Sequence, residues 1–270
     1  MRTLNYGVPL KSDVSNMNTN TPRLPSLYEL VKLQSVDSAV KEARRRAENG
    51  AVEGTLIWAH EQTDAQGRLG QTWHSQPGNL YCAIVLQPEF SPQQALEINY
   101  VAALSMGAAL GSMMSPMVTL RYRWPNDIIL NGDKVAGIFI DTPATVDNDW
   151  PWIVVGMSVN VASYPDNPNR GAVSIHEAQG NPDISVVDVL EEYSKQFLHW
   201  INRWAEHGFE SLLKNWQQRV NGINELVSIE LRNETITGEL TGIEPNGAIT
   251  VTLADKSARQ ISLSEFYDLA

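Results

Sequence analysis

The stretch Arg121–Asp141, RYRWPNDIILNGDKVAGIFID, restricts the fold of this chain more than any other segment. Asn131-Gly132 separates two apolar runs, and Asn-Gly is the strongest short signal for a type I′ turn, because both central residues of that turn need positive φ. The spacing therefore predicts an antiparallel hairpin over 127–141. Pro125 has no N–H to give to a ladder and is kept out of central strands. Trp124-Pro125-Asn126-Asp127 accordingly reads as a turn, for which Pro, Asn and Asp are well suited. Lys134 reads either as a solvated residue behind the hairpin turn or as a placed cation. Gly137 bears on that choice, since a glycine inside a strand pattern marks a face on which something packs closely.

The rest of the chain supplies helices and strands on both sides of this hairpin. Residues 27–34 enter the fold as a strand or a short helix. A helix is predicted over 35–50, with Ser35, Asp37 and Ser38 as candidate N-caps, Val40, Ala43 and Ala47 as its apolar stripe and Asn49-Gly50 as its stop. Strands over 54–62 and 80–88 flank a long loop at 63–79 that contains Gly67, Gly70 and Gly78. Residues 91–114 read as one long helix opened by Ser91-Pro92. Strands follow over 117–125 and 151–163, then amphipathic helices over 186–206 and 208–220. Beyond residue 222 the texture changes to short strands with turns at Arg232-Asn233, Pro245-Asn246-Gly247 and Ala254-Asp255, which predicts a small β-barrel. This order does not fit a regular βαβ series. The expected class is α+β, a mixed, largely antiparallel sheet flanked by helices. The expected division is a flexible segment at 1–25, a large domain at 26–222 and a small one at 223–270.

Composition narrows the function. The chain has 270 residues and a net charge of −11, which argues against nucleic-acid or anionic-membrane binding and requires any anionic substrate to be met by local cations. The single cysteine, Cys82, excludes an internal disulfide framework and suits a reducing compartment. Residues 1–22 are polar and no run of 18 apolar residues occurs, so a cytoplasmic protein is expected. There is no Gly-rich dinucleotide fingerprint, Walker loop, paired-cysteine motif, zincin motif or nucleophile elbow. His60, His74, His176, His199 and His207 are too scattered to suggest a metal site. The loop at 63–79 stands out, because structureless loops of that length in compact domains are usually either functional or disordered.

Three segments taken together, GRLGQTWHSQPGNLYCAIVL, RWPNDIILNGDKVAGIFID and VVGMSVNV, resemble in order and spacing the catalytic domain of biotin protein ligases. The β segment after residue 222 resembles the small C-terminal SH3-like domain of that family. The resemblance spans about residues 26–266, and W-P-N-D-I followed by K-x-A-G-I is its most specific part. It implies a mixed sheet flanked by helices, as in lipoate ligases and octanoyl transferases. It also implies two-step chemistry, in which ATP and biotin give biotinyl-AMP and a lysine of a biotin carboxyl carrier domain then attacks the mixed anhydride.

The physical difficulty in the first step is repulsion between a carboxylate and a polyanion. Two unit charges ~4 Å apart cost about 4 kcal/mol at an effective dielectric near 20, and a cation between them removes that cost. The resemblance gives that role to Lys134, with Arg68 of the Gly-rich loop holding the adenylate. It implies biotin contacts from Ser35, Val36, Asp37, Gln62, Gly67, Lys134 and Gly137. It implies nucleotide contacts from Arg68, Trp73, Asn126, Asp127 and Asn160, with Gly78 and Asn79 starting the strand beneath the site. Mg²⁺ would accompany the ATP phosphates, and no protein metal ligands are assigned. The expected partner is the carrier protein or domain of a biotin-dependent carboxylase, with no nucleic acid and no membrane, and with room for a homodimer.

The sequence departs from the family pattern in places. Where the family loop reads G-R-G-R-x-G-R, this chain has Ala65-Gln66-Gly67-Arg68-Leu69-Gly70-Gln71, and Ser35-Val36-Asp37 replaces Ser-Thr-Asn. Arg123 stands for a lysine and Ser158 for a glycine. Two other readings stay open on these grounds: a lipoate or octanoate ligase or transferase of the same fold, and a non-catalytic sensor of biotinyl-AMP.

Overall fold

The computed structural model describes residues 21–89, 91–143, 150–165, 171–179 and 183–268. The chain enters at Pro22, which is buried, with the Arg23 amide donating to Glu191 at 2.8 Å and Leu24 packed on the core. The packed chain therefore begins no later than Pro22. Of the segment expected at 1–25, Pro22 and Leu24 are packed, and 1–20 lie outside the described residues.

The expected strand or helix at 27–34 is a strand, β1 (Glu29–Val36), followed by α1 (Ala39–Glu48) and β2 (Thr55–Gln62). Of the three candidate caps Ser38 is the one used, its hydroxyl accepting from the Lys41 amide at 3.4 Å. This crossover makes β1 parallel to β2. Strands β3 (Leu80–Leu86), β4 (Leu120–Arg123), β5 (Asp127–Leu130), β6 (Asp133–Asp141) and β7 (Ile153–Val159) complete a seven-stranded sheet of order β1-β2-β3-β7-β6-β5-β4. All its other pairings are antiparallel. The α+β, mixed and largely antiparallel expectation holds.

The predicted long helix is broken into α2 (Pro92–Ala95) and α3 (Ile98–Met113). α3 is buried nearly all round from Ile98 to Leu110, rather than along one stripe. It lies between the sheet, α5 (Val186–His207) and α6 (Phe209–Gln217), which α4 (Ile175–Gln179) precedes. A helix without a polar face is the expected occupant of such an interior layer. Each fully buried Leu, Ile or Met there contributes about 1.5–3 kcal/mol. The opposite face of the sheet is covered over part of its width by α1, whose Ala39, Ala43 and Ala47 pack on Ile57, Tyr81, Ala83 and Val154. Cys82 is buried, and burial pushes its thiol up to about 12, so it serves packing and not nucleophilic chemistry.

The C-terminal module is an antiparallel meander of β8 (Leu226–Glu230), β9 (Thr235–Ile243), β10 (Ile249–Thr252) and β11 (Ala258–Ile261), closed by α7 (Leu263–Tyr267). Its Leu240, Ile249, Val251, Ile261 and Phe266 share one continuous core with the large sheet and α3. The Tyr100 hydroxyl and the Trp124 indole N–H both donate to the Gly247 carbonyl, at 2.6 and 3.0 Å. No described helix is long and apolar enough to cross a membrane.

Candidate active site

The β5–β6 hairpin turns at Asn131 (φ 51°) and Gly132 (φ 99°), the positive values that a type I′ turn requires. Its register breaks once. Ile128 pairs with Ala136 but Ile129 pairs with Lys134, which leaves Val135 as an extra residue. In a regular strand Lys134 and Gly137 would face opposite sides of the sheet, because side chains alternate. The bulge cancels one step of that alternation. A Cβ added at Gly137 would lie 3.4 Å from Lys134 Cε and 3.2 Å from Trp73 Cη2 and Cζ3. Lys134, Gly137 and Trp73 therefore share the α1 face of the sheet, over the part of its width that α1 does not cover.

Asp127 joins them from the adjacent strand, opposite Gly137. Lys134 Nζ is 2.5 Å from Asp127 Oδ1 and 5.0 Å from the Trp73 ring centroid. Arg123 Nη1 stands 3.8 Å from Asp127 Oδ2, and the Trp73 ring meets Phe139 edge-on at 5.5 Å. The side chains of Lys134 and Asp127 keep 27% and 16% of their exposure, so the pair is sheltered yet reachable from solvent. Pro125 sits in the three-residue turn between β4 and β5, where its missing N–H disturbs no ladder.

The Gly-rich loop, read from the sequence as structureless over 63–79, has structure of its own. Gln66 bridges Thr72, the Gly67 amide donates to the Gln71 carbonyl at 2.6 Å and the Trp73 amide to the Ala65 carbonyl at 2.9 Å. A 3-10 turn at Arg68–Gly70, with Leu69 and Gly70 at φ 57° and 72°, closes this small hairpin. Arg68 at its tip faces the C-terminal module. Its guanidinium donates to the Glu230 carbonyl and, at 3.4 Å, to the Phe266 carbonyl, and it lies 4.0 Å over the Phe266 ring.

Ser35, Val36, Asp37 and Gln62 gather at the head of α1. Gln62 Oε1 accepts from the Ala39 amide at 2.7 Å while its Nε2 donates to Ser75 Oγ at 2.9 Å, and Ser75 Oγ donates to the Trp73 carbonyl at 3.1 Å. Ser75, which sequence reasoning passed over, thus links the α1 group to the Trp73 backbone. Ser35 is exposed and Val36 packs on the α1-face core. Asp37 is bound in a forked pair by Arg45 at 2.7 and 2.9 Å. The Arg45 guanidinium holds the Asp37 carboxyl at about 2, against partial burial, with help from the Ser38 amide.

Three asparagines act on backbone. Asn126 Nδ2 donates to the Ile138 carbonyl at 3.0 Å and ties the turn to β6. Asn160 Nδ2 donates to the Val173 carbonyl at 3.3 Å, holding residues 171–175 beside Lys134, whose own amide and carbonyl bond Gly171 and Val173. Asn79, buried after Gly78, accepts from the amides of Val161, Ala162 and Ser163 at 2.9–3.2 Å. A polar cleft of about 250 Å³, lined by His74, Gln76, Asn79, Ser163, Tyr164 and Pro165, opens beside the segment that follows Trp73. A cavity of about 470 Å³ lies elsewhere, between the end of α3 and β4, and none of the candidate residues lines it. Among the described residues no group of three or more His, Cys, Asp or Glu is placed to hold a metal ion.

Residues 24–218 match the family model described as the biotin/lipoate A/B protein ligase family. The chain belongs to that family. It is a ligase, and within the family its likeness is to biotin protein ligases. It is 30% identical over 224 residues to the bifunctional ligase/repressor BirA of Bacillus spizizenii, covering 82% of this chain and 68% of that protein. It is 30% identical over 239 residues to the biotin–[acetyl-CoA-carboxylase] ligase of Paracoccus denitrificans, covering 85% of this chain and 95% of that one. The solved biotin protein ligase from Aquifex aeolicus, in complex with biotin and ATP, superposes with a TM-score of 0.74 at 27% identity, over 88% of this chain and 97% of the other.

Proposed function

We propose that this chain is an ATP-dependent biotin–protein ligase, which forms biotinyl-AMP and transfers the biotinyl group to a lysine of a biotin carboxyl carrier domain. The observation that carries the reading is the bulge that brings Lys134 over Gly137, against Asp127 and Trp73. A lysine ammonium has three donors. With one directed at Asp127, the others are in reach of two anions that meet at this face. Lys134 then offsets the repulsion between the biotin carboxylate and the α-phosphate, and stabilises the charge that develops as the carboxylate attacks phosphorus and pyrophosphate leaves.

On this reading biotin lies over Gly137, between the Lys134 cluster and the group of Ser35, Val36, Asp37, Gln62 and Gly67. The Trp73 ring, which stands over Gly137, packs against the ligand. Asn126, Asp127 and Asn160 border the nucleotide, and Arg68 leaves Phe266 and Glu230 to meet the adenylate as the hairpin closes over it. Mg²⁺ enters bound to the ATP phosphates, the usual mode for an ion that keeps most of its ligands from water and phosphate. In the second step the carrier lysine, as the free amine, attacks the anhydride carbonyl and AMP leaves. The setting is the cytoplasm.

A second acyl substrate is favoured by one observation. Val36 belongs to the apolar α1-face core and Asp37 is neutralised by Arg45, so this wall suits a plain acyl chain as well as a polar ring. The test is ATP–pyrophosphate exchange with biotin, lipoate and octanoate in turn, followed by transfer to a carboxylase carrier domain. Exchange with biotin and labelling of the carrier are expected. Exchange with lipoate or octanoate alone would reassign the substrate, and exchange with none would leave the binding-protein reading.

A further inference from the structure

Helix α7 closes the described part of the C-terminal module, and it touches Arg68 of the candidate site and, beside the site, Asn99 and Trp124. The Tyr267 hydroxyl donates to Asn99 Oδ1 at 2.7 Å. Asn99, fully buried in the first turn of α3, donates from Nδ2 to the Pro125 carbonyl at 2.7 Å. Phe266, one residue earlier, meets Trp124 edge-on at 5.3 Å and carries Arg68 on its other contacts. One short helix therefore holds both the turn that leads into Asp127 and the tip of the Gly-rich hairpin.

The chemistry of the relay is directional. Pro125 has no N–H, so its carbonyl is its own hydrogen-bonding group, and it adds a hold from α3 to those the turn already has through Asn126 on Ile138 and the Trp124 indole on Gly247. Asn99 supplies a donor to that carbonyl and an acceptor to Tyr267, and a fully buried amide is tolerated because both ends are bonded. The phenol of Tyr267 is held well above its ordinary range, chiefly by burial, with the Asp127 carboxylate adding to the effect and the Arg68 guanidinium opposing it. Tyr267 is thus within electrostatic reach of Asp127 and Arg68.

We propose that Tyr267 is a positioning residue for the adenylation step: through Asn99 it fixes the Trp124–Asn126 turn, and with it the approach of Asp127 to Lys134. The proposal rests on the ligase reading for its kinetic consequence and on geometry alone for its ligand-free consequence. Tyr267→Phe removes one oxygen and keeps the ring packed.

In the ligand-free protein, Lys134 is acetylated with an N-hydroxysuccinimide ester and its labelling is compared by mass spectrometry with that of the exposed Lys214 on α6. In Tyr267→Phe the Lys134:Lys214 ratio is expected to rise about fivefold, the change set by one net hydrogen bond. In pyrophosphate exchange kcat is expected to fall about fivefold, with KM for biotin and ATP within about twofold. Asn99→Ala should produce a similar loss, and adding Tyr267→Phe to it should cause little further loss, as for members of one relay. A lower melting temperature with an unchanged labelling ratio would reduce the contact to fold stability and overturn the proposal. Additive losses of kcat in the double variant would overturn it equally. Should the wild-type protein show no exchange at all, the ligase reading fails, and the labelling ratio alone still decides whether Tyr267 positions the pair.

Discussion

Gly137→Ala isolates the proposed ligand face from the stability of the fold. The added Cβ would stand 3.2 Å from two atoms of the Trp73 ring and 3.4 Å from Lys134 Cε. Carbon atoms prefer about 3.5–4.0 Å, so the ring has to retreat by a few tenths of an ångström. Gly137 is absent from the positive-φ residues, and alanine fits its backbone without strain. Overpacking then costs about 1 kcal/mol, partly offset by the lower entropy of the unfolded alanine chain. A net loss of that size corresponds to a fall in melting temperature of about 2–4 °C. The methyl group also stands on the surface that the proposal gives to biotin. Losing contact there by about 1.4 kcal/mol raises KM for biotin about tenfold. The assay is biotin-dependent pyrophosphate exchange beside a melting curve, with Gly111→Ala as a control whose Cβ comes no closer than 3.9 Å to Arg219 Nη1. A KM for biotin within twofold of wild type, in a folded Gly137→Ala protein, would refute the placement of the ligand over Gly137.

Two further expectations concern stability. Gly107→Ala places a Cβ 1.9 Å from the Tyr122 hydroxyl oxygen and 2.7 Å from Cζ in a buried contact between α3 and β4, so a loss of about 3 kcal/mol is expected in denaturant unfolding, and a wild-type midpoint would contradict the packing. Asp37→Asn tests the Arg45 pair through pH. The folded carboxyl titrates at about 2 against an ordinary 3.8, so its stabilisation is present above pH 3.8 and disappears as pH falls through 2. The side chain is 36% exposed and therefore screened, so the variant should lose less than about 1 kcal/mol at pH 7. That gap should shrink between pH 5 and pH 2.5, and a gap independent of pH would exclude the pair as its source.

Local chemistry made much of the fold readable. Asn131-Gly132 specified its hairpin because few residue pairs accept two positive φ values. Pro125 marked the end of β4 because it cannot pair, and amphipathic periodicity gave the helix over 186–206, which the structure caps with Ser185 and Asp188 in reciprocal hydrogen bonds. The break between α2 and α3 was not readable, because a helix buried on every side has no polar face to mark its limits. At the site, Lys134 and Gly137 were legible as unusual residues, but their meeting depends on the bulge at Val135, which leaves no mark in the alternation of Lys-Val-Ala-Gly-Ile. The docking of Arg68 on Phe266 and Glu230, and the relay from Tyr267 to Asn99, join residues 160 or more positions apart in sequence. Contacts of that range are set by packing of the two sheets and have no local signature. Asp37 shows the converse case: its type was visible, but its use as a partner of Arg45 one helical face along required the folded geometry.

The central claim is that one ammonium offsets the repulsion between two anionic reactants, and Lys134→Ala tests it most directly. Measured as biotin-dependent ATP–pyrophosphate exchange in a variant whose melting temperature stays near that of wild type, the rate should fall by about 10²–10³-fold, the scale for removing one transition-state donor. An exchange rate equal to that of the wild-type protein would contradict the account.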